Sequence, residues 1–136
     1  MRKAARRGGI PGGLFVAAVA LLVSCQTVPK SIPTTLTESE YFQKGQDSAS
    51  NGNYRAALMY YDTFEKRFPN DQARMVEAKY EIAFIAYKKG ELKQARTLFQ
   101  SLADEYKKSG SDALPRWPLV LSNKLILIID TDLKKK

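Results

Sequence analysis

The sequence predicts an all-α domain of antiparallel helical hairpins, and three observations lead there. Apolar residues recur at three- and four-residue steps in two segments, at Ala57, Leu58, Tyr61, Phe64 and Phe68, and at Leu92, Ala95, Leu98, Phe99 and Leu102. That spacing collects them on one face of a helix. Residues that start and stop helices, namely Thr37, Gly52, Asn53, Pro69 and Gly90, fall between such runs. Finally, the two segments align with each other, as the units of a repeat do.

Taken in order, Thr37 followed by Glu40 is a capping-box pattern that opens a first helix, ending near Ser50. The Asn51-Gly52-Asn53 break follows, and Asn53 can cap a second helix over 54–68. Pro69-Asn70 stops it. A third helix is expected over about 71–89, a turn at Gly90, and a fourth helix over 91–108. Beyond the Ser109-Gly110-Ser111-Asp112 loop, Pro115 and Pro118 bracket Trp117, and 119–129 is strongly apolar around Ser122-Asn123-Lys124. As a helix this stretch would cover the open end of the hairpin stack. As a strand, 125–129 would leave an apolar edge in need of a partner. The repeat context favours the helix, with 134–136 as a solvated basic tail.

The internal alignment is detailed. Gly52-Asn53-Tyr54-Arg55-Ala56-Ala57 matches Gly90-Glu91-Leu92-Lys93-Gln94-Ala95, after which Tyr61 meets Phe99, Phe64 meets Leu102 and Phe68 meets Tyr106. This pattern resembles the tetratricopeptide repeat: Gly before helix B, a small Ala within it, an aromatic four residues later, and Pro after it. Gly45 and Ala83 stand where the family places a small residue in helix A, and Pro69 at its helix-B terminator. Tyr41 holds the family's Trp position in the first repeat, and Lys79 interrupts it in the second. The offset from Gly52 to Gly90 is 38 residues, against ~34 in the family. A longer inter-repeat turn or an extra helical turn before Met75 would account for it. The resemblance covers 38 to about 108 and implies two repeats plus a C-terminal capping helix.

The first 25 residues have the layout of an export signal: basic Arg2, Lys3, Arg6 and Arg7, an apolar core strongest over 14–23, then Ser24. That core is about half of the ~20 residues a spanning helix needs. Leu22-Val23-Ser24-Cys25 resembles the bacterial lipobox, which implies cleavage after Ser24 and acyl chains on Cys25. An uncleaved signal anchor with an incidental cysteine is the other reading. Gln26 is not the Asp that marks inner-membrane retention in many enteric bacteria, so an outer-membrane site facing the periplasm is expected. The expected organisation is a signal peptide over 1–24, a flexible, solvated tether over 25–36, repeats over 37–108, and a capping segment with basic tail over 109–136.

Composition narrows the function. The net charge of +8 includes four basic residues of the signal, leaving 22 − 4 = 18 basic against 14 acidic residues. A body so near balance gives little support to nucleic-acid binding. Histidine is absent and Cys25 is the one cysteine, which excludes histidine triads, internal disulfides and Cys/His zinc sites. The acid pairs Glu38/Glu40, Glu77/Glu81 and Asp104/Glu105 suit solvated helix faces, and no phosphate-binding or Ser-Lys motif has a strand-to-helix context. Neither an enzyme nor a cofactor or metal site is expected.

Long-spaced repeats behind a lipobox resemble the BamD-like lipoproteins of the outer-membrane β-barrel assembly machine, and are similar to the repeat domain of the Tol–Pal coordinator. The resemblance implies a lipid-anchored scaffold for protein–protein interaction, in outer-membrane protein assembly or cell-envelope organisation. In the repeat family the A helices line a concave face that receives peptides. Carried over, that face takes Phe42, Gln46 and Ala49 from the first hairpin, and Tyr80, Phe84, Tyr87 and Lys88 from the second. The same aromatics also suit packing between repeats. The alternative function is a structural envelope lipoprotein that tethers layers without a peptide groove.

Overall fold

The computed structural model describes residues 27–109 and 113–135; the expected export signal and Cys25 lie outside the described residues. Five helices follow one another in the described residues: α1 (Glu38–Ser50), α2 (Tyr54–Arg67), α3 (Gln72–Lys88), α4 (Leu92–Ser109) and α5 (Arg116–Lys134). Among the described residues there is no strand. The fold is all-α, two tetratricopeptide-like hairpins and a further helix.

Local chemistry sets the ends of these helices. The Thr37 hydroxyl accepts from the Glu40 N–H, and the Glu40 carboxylate accepts from the Thr37 N–H at 2.7 Å, closing the capping box. Asn53 and Asp71 accept from the N–H groups of Ala56 and Arg74, so α2 and α3 are capped by side chains as well. Helices α1 and α3 end alike. Gly52 and Gly90 adopt φ of 74° and 78°, a left-handed conformation that costs a side-chain-bearing residue more than glycine. The next residue's N–H then reaches back five positions, Asn53 to the Ser48 carbonyl at 2.8 Å and Glu91 to the Ala86 carbonyl at 3.0 Å. This is the Schellman closure, used twice.

The long repeat offset comes from an extra helical turn. α3 has 17 residues and α1 has 13, a difference close to one turn of 3.6. It lies before the small residue: the cap-to-small distance grows from Thr37–Gly45 to Asp71–Ala83, while Gly45–Gly52 and Ala83–Gly90 are equal.

Packing follows the repeat logic. A Cβ placed on Gly45 would stand 2.7 Å from the Tyr61 ring, so α1 and α2 approach closely only because that Cβ is missing. Two apolar clusters result. Tyr41, Phe42, Tyr61 and Phe64 form the first with Ala78 and Ile85 of α3. Val76, Tyr80 and Ala83 of α3 join Phe99, Leu102 and Tyr106 of α4, and Ile126 and Ile129 of α5, in the second. α3 therefore welds the two hairpins. Where Lys79 interrupts the family pattern, its ammonium meets Glu105 of α4 at 2.6 Å. Tyr41, at the equivalent place in the first repeat, is buried and donates to the Pro33 carbonyl at 2.9 Å.

The C-terminal segment is a helix, longer than the 119–129 expected. Pro118 is its third residue, in the first turn where a missing N–H costs nothing. α5 runs antiparallel to α4: the Tyr106 hydroxyl donates to the Pro115 carbonyl, and Arg96 pairs with Asp130. Pro118, Ser122, Ile126 and Ile129 face inward, the Ser122 hydroxyl without a hydrogen-bond partner. The outer face shows Trp117, Val120, Leu121, Leu127 and Ile128, with Leu127 69% exposed.

The expectation of a solvated tether needs correcting for the part that is described. Residues 27–36 are irregular but lie along the first hairpin. Ile32 is buried in the first cluster, Leu36 packs against it, and the Thr27 carbonyl accepts from the Asn53 amide at 3.2 Å. An isoleucine that escapes water on the outer side of α1 and α2 is the physical reason.

Candidate functional site

Because α2 lies between them in sequence and reverses the chain, α1 and α3 run in the same direction. Between them is a cleft of about 320 Å³ lined by Gln46, Ala49, Glu81, Phe84, Ile85 and Lys88. A second hollow of about 420 Å³ shares Gln46 and Glu81 with it and extends to Phe42, Arg74, Glu77 and Trp117. Together they make one groove along the A-helix side, closed at its far end by the start of α5.

Phe84 and Trp117 line the groove, and a row of rings links them. Phe84 stacks on Tyr87 at 6.1 Å and on Tyr80 at 5.9 Å, and Trp117 meets Tyr80 edge-on at 5.0 Å. The spacing of Tyr80, Phe84 and Tyr87 on α3 puts all three on one face. Trp117 joins them from 37 residues away, and its indole N–H donates to Glu77 at 3.3 Å.

The same α3 wall carries acid. Burial pushes the Glu81 carboxyl above the usual carboxylate range, and the neighbouring Glu77 pushes the same way, against a hydrogen bond from Gln46. Glu77 is held at 2.9 Å by Arg74, whose guanidinium also lies over the Phe42 ring. Beneath Glu81, the buried Tyr61 hydroxyl has no partner; burial and Glu81 both raise its pKa. Lys88 stands exposed at the other end of the groove.

Of the residues the sequence nominated, Gln46, Phe84 and Lys88 line the cleft, as does Ala49. Tyr87 is half-buried against Phe84. Tyr80 is corrected to a core residue, 7% exposed and lining neither hollow, while Phe42, 6% exposed, is a core residue that borders the second hollow. Phe42 packs edge-on against Tyr61 and Phe64 under the cover of Arg74. Tyr80 is enclosed by Phe84, Phe99 and Trp117. The residues missed were Glu77, Glu81, Arg74 and Trp117. Glu77/Glu81 had been visible as an acid pair, but nothing in helical spacing says that such a pair faces another helix. Among the described residues no group of three or more metal-ligating side chains comes together. None of the helices described is long and apolar enough to cross a membrane.

A family model described as "YfiO: Outer membrane lipoprotein" matches residues 34–122, from before α1 into α5. The chain belongs to this family. Its membership assigns the hairpins and the start of α5 to an outer-membrane lipoprotein type and places the chain in the cell envelope. The chain is also similar to an uncharacterized protein of Treponema pallidum (strain Nichols), 28% identical over 107 residues. That alignment takes in 77% of this chain and 43% of the relative, so the chain spans less than half the relative's length. No solved structure matches it.

Proposed function

We infer that this is a lipid-anchored envelope protein, acylated on Cys25 after removal of 1–24, whose groove captures a segment of another envelope protein. The repeat domain acts as an interaction scaffold in outer-membrane protein assembly or envelope organisation, without catalysis, cofactor or nucleic acid. One observation carries this reading: an open groove between α1 and α3 whose α3 wall sets Phe84 beside the half-buried Glu77/Glu81 pair. A carboxylate held in a partly desolvated place at a cost to stability suits recognition better than folding. The chemistry fits a peptide with an apolar side chain for the Phe84 wall and a basic one for Glu81.

A photo-crosslinking residue at Gln46 in intact cells should capture a defined partner, and Phe84→Ala or Glu81→Gln should lower the yield several-fold. Undiminished capture in both variants would favour a tether that uses no groove. Cys25→Ser should abolish incorporation of a clickable fatty acid; equal labelling of wild type and variant would refute the anchor.

A further inference from the structure

We propose that one edge of the helical stack, the one carrying the Gly52 and Gly90 turns and the end of α5, lies directly against an anionic phospholipid surface. This rests on acylation of Cys25, and adds where the bilayer meets the fold. The ends of α1, α3 and α5 and the starts of α2 and α4 all gather there. Lys88 borders the same cleft as Gly52, and Leu133 the same hollow as Gly90.

The chain leaves the fold at this edge. Asn53, the cap of α2, fastens the Thr27 carbonyl at 3.2 Å, and with 28–36 laid along the first hairpin no slack remains downstream. Only Gln26 lies between Thr27 and Cys25, a reach of at most about 7 Å. Headgroup layers are themselves roughly 6 Å deep on each side of the hydrocarbon. An acyl anchor on Cys25 therefore draws the edge into contact with headgroups.

The edge is dressed for that contact. It carries Arg55, Lys88, Lys89, Lys93, Lys134 and Lys135 against Asp47, Glu91 and Asp132. Two of these acids are already paired, Glu91 with Lys89 and Asp132 with Lys135. The opposite edge is also basic, with Lys66, Arg67, Arg74, Lys107, Lys108 and Arg116 against Glu38, Glu40, Glu65 and Asp71, so it is the exit of the chain that singles out this edge. Between Gly90, Leu92, Lys93 and Leu133 the edge also has a shallow hollow of about 450 Å³, apolar at its base. Basic side chains around an exposed apolar notch match an anionic interface. The groove between α1 and α3 then opens at its Lys88 end toward the bilayer.

The test uses the full chain, exported, purified from membranes and reconstituted in vesicles of phosphatidylcholine with or without phosphatidylglycerol. In the acylated chain a thioether blocks the sulfur of Cys25, the chain's one native cysteine, so a label on Gln94→Cys reports this edge and one on Arg67→Cys the opposite edge. Headgroup-nitroxide lipid should quench the Gln94 label and spare the Arg67 label on the anionic vesicles. Replacing Arg55, Lys93 and Lys134 together with Gln should cut the apposed population on the order of a hundred-fold, about five-fold per side chain. Thermal melting of that variant shows whether it is folded. Equal quenching at both edges overturns the proposal, as does quenching indifferent to the three substitutions in a folded variant. The mass of the purified chain reports the anchor separately: acyl mass with no difference between edges sinks the proposal alone. A difference between edges without acyl mass, read in a Cys25→Ser background so that each label stays unique, sinks the anchor and leaves the basic edge standing.

Discussion

Gly45 and Gly90 need to be glycine for different reasons, and alanine separates them. At Gly45 the backbone is helical and the obstacle is the Tyr61 ring, 2.7 Å from where a Cβ would go. Gly45→Ala should force the hairpin apart at a cost of about 1–3 kcal/mol, measurable by chemical denaturation, and Ala83→Leu should do the same in the second hairpin. At Gly90 nothing lies within 4 Å of the added atom, and the obstacle is φ of 78°. Gly90→Ala should cost about 1–2 kcal/mol, and Gly90→Asn less, since Asn tolerates that conformation. If Gly90→Asn proved the worse of the two, the backbone explanation would fail. Glu81 invites a pH experiment. Its folded pKa is raised, so its burial penalty is absent below the unfolded carboxylate pKa and grows as pH rises through the folded one. Glu81→Gln should therefore raise the melting temperature at neutral pH. The advantage should shrink as pH falls into the ordinary carboxylate range, around 4. A gain that stays constant from pH 7 to pH 4 would exclude the burial explanation.

The helices themselves were legible because their signals are local. Thr37 with Glu40, Asn53, Gly52 and Gly90 each act within a few residues, and each does in the structure what its spacing implies. The start of α5 was less legible, because Arg116 and Trp117 precede a proline whose place in a first turn only the packed helix reveals. The groove was half legible. Helical spacing finds the face that carries Tyr80, Phe84 and Tyr87, but it cannot tell which ring another element will cover. Arg74 covers Phe42 from 32 positions away, and Trp117 covers Tyr80 from 37. The same reasoning makes α5 an integral part of the second cluster. Removing it uncovers Phe99, Leu102 and Tyr106 and deletes Ile126 and Ile129, each large side chain representing about 1.5–3 kcal/mol of burial. A chain truncated after Ser111 should melt well below the full chain and associate. An unchanged melting temperature with a monomeric product would mean that α5 contributes no stability.

Seen as one object, the stack has two unlike flanks. Along the first hairpin runs an irregular strap held by Ile32, by the Pro33 carbonyl under Tyr41, and by Thr27 on Asn53. At the other flank α5 turns outward Val120, Leu121, Leu127 and Ile128. A stack of repeats whose two flanks fit each other can add copies head to tail without limit, because a heterologous contact does not close on itself. Here the strap covers the outer side of the first hairpin, and burial of Ile32 makes removing it costly. Ile32→Asp should loosen the strap and lay bare the outer side of Tyr41 and Phe64. Light scattering should then register growth of open-ended chains with protein concentration, while the unaltered protein stays at constant size. Such growth would make the short run of residues ahead of the first helix a chain terminator.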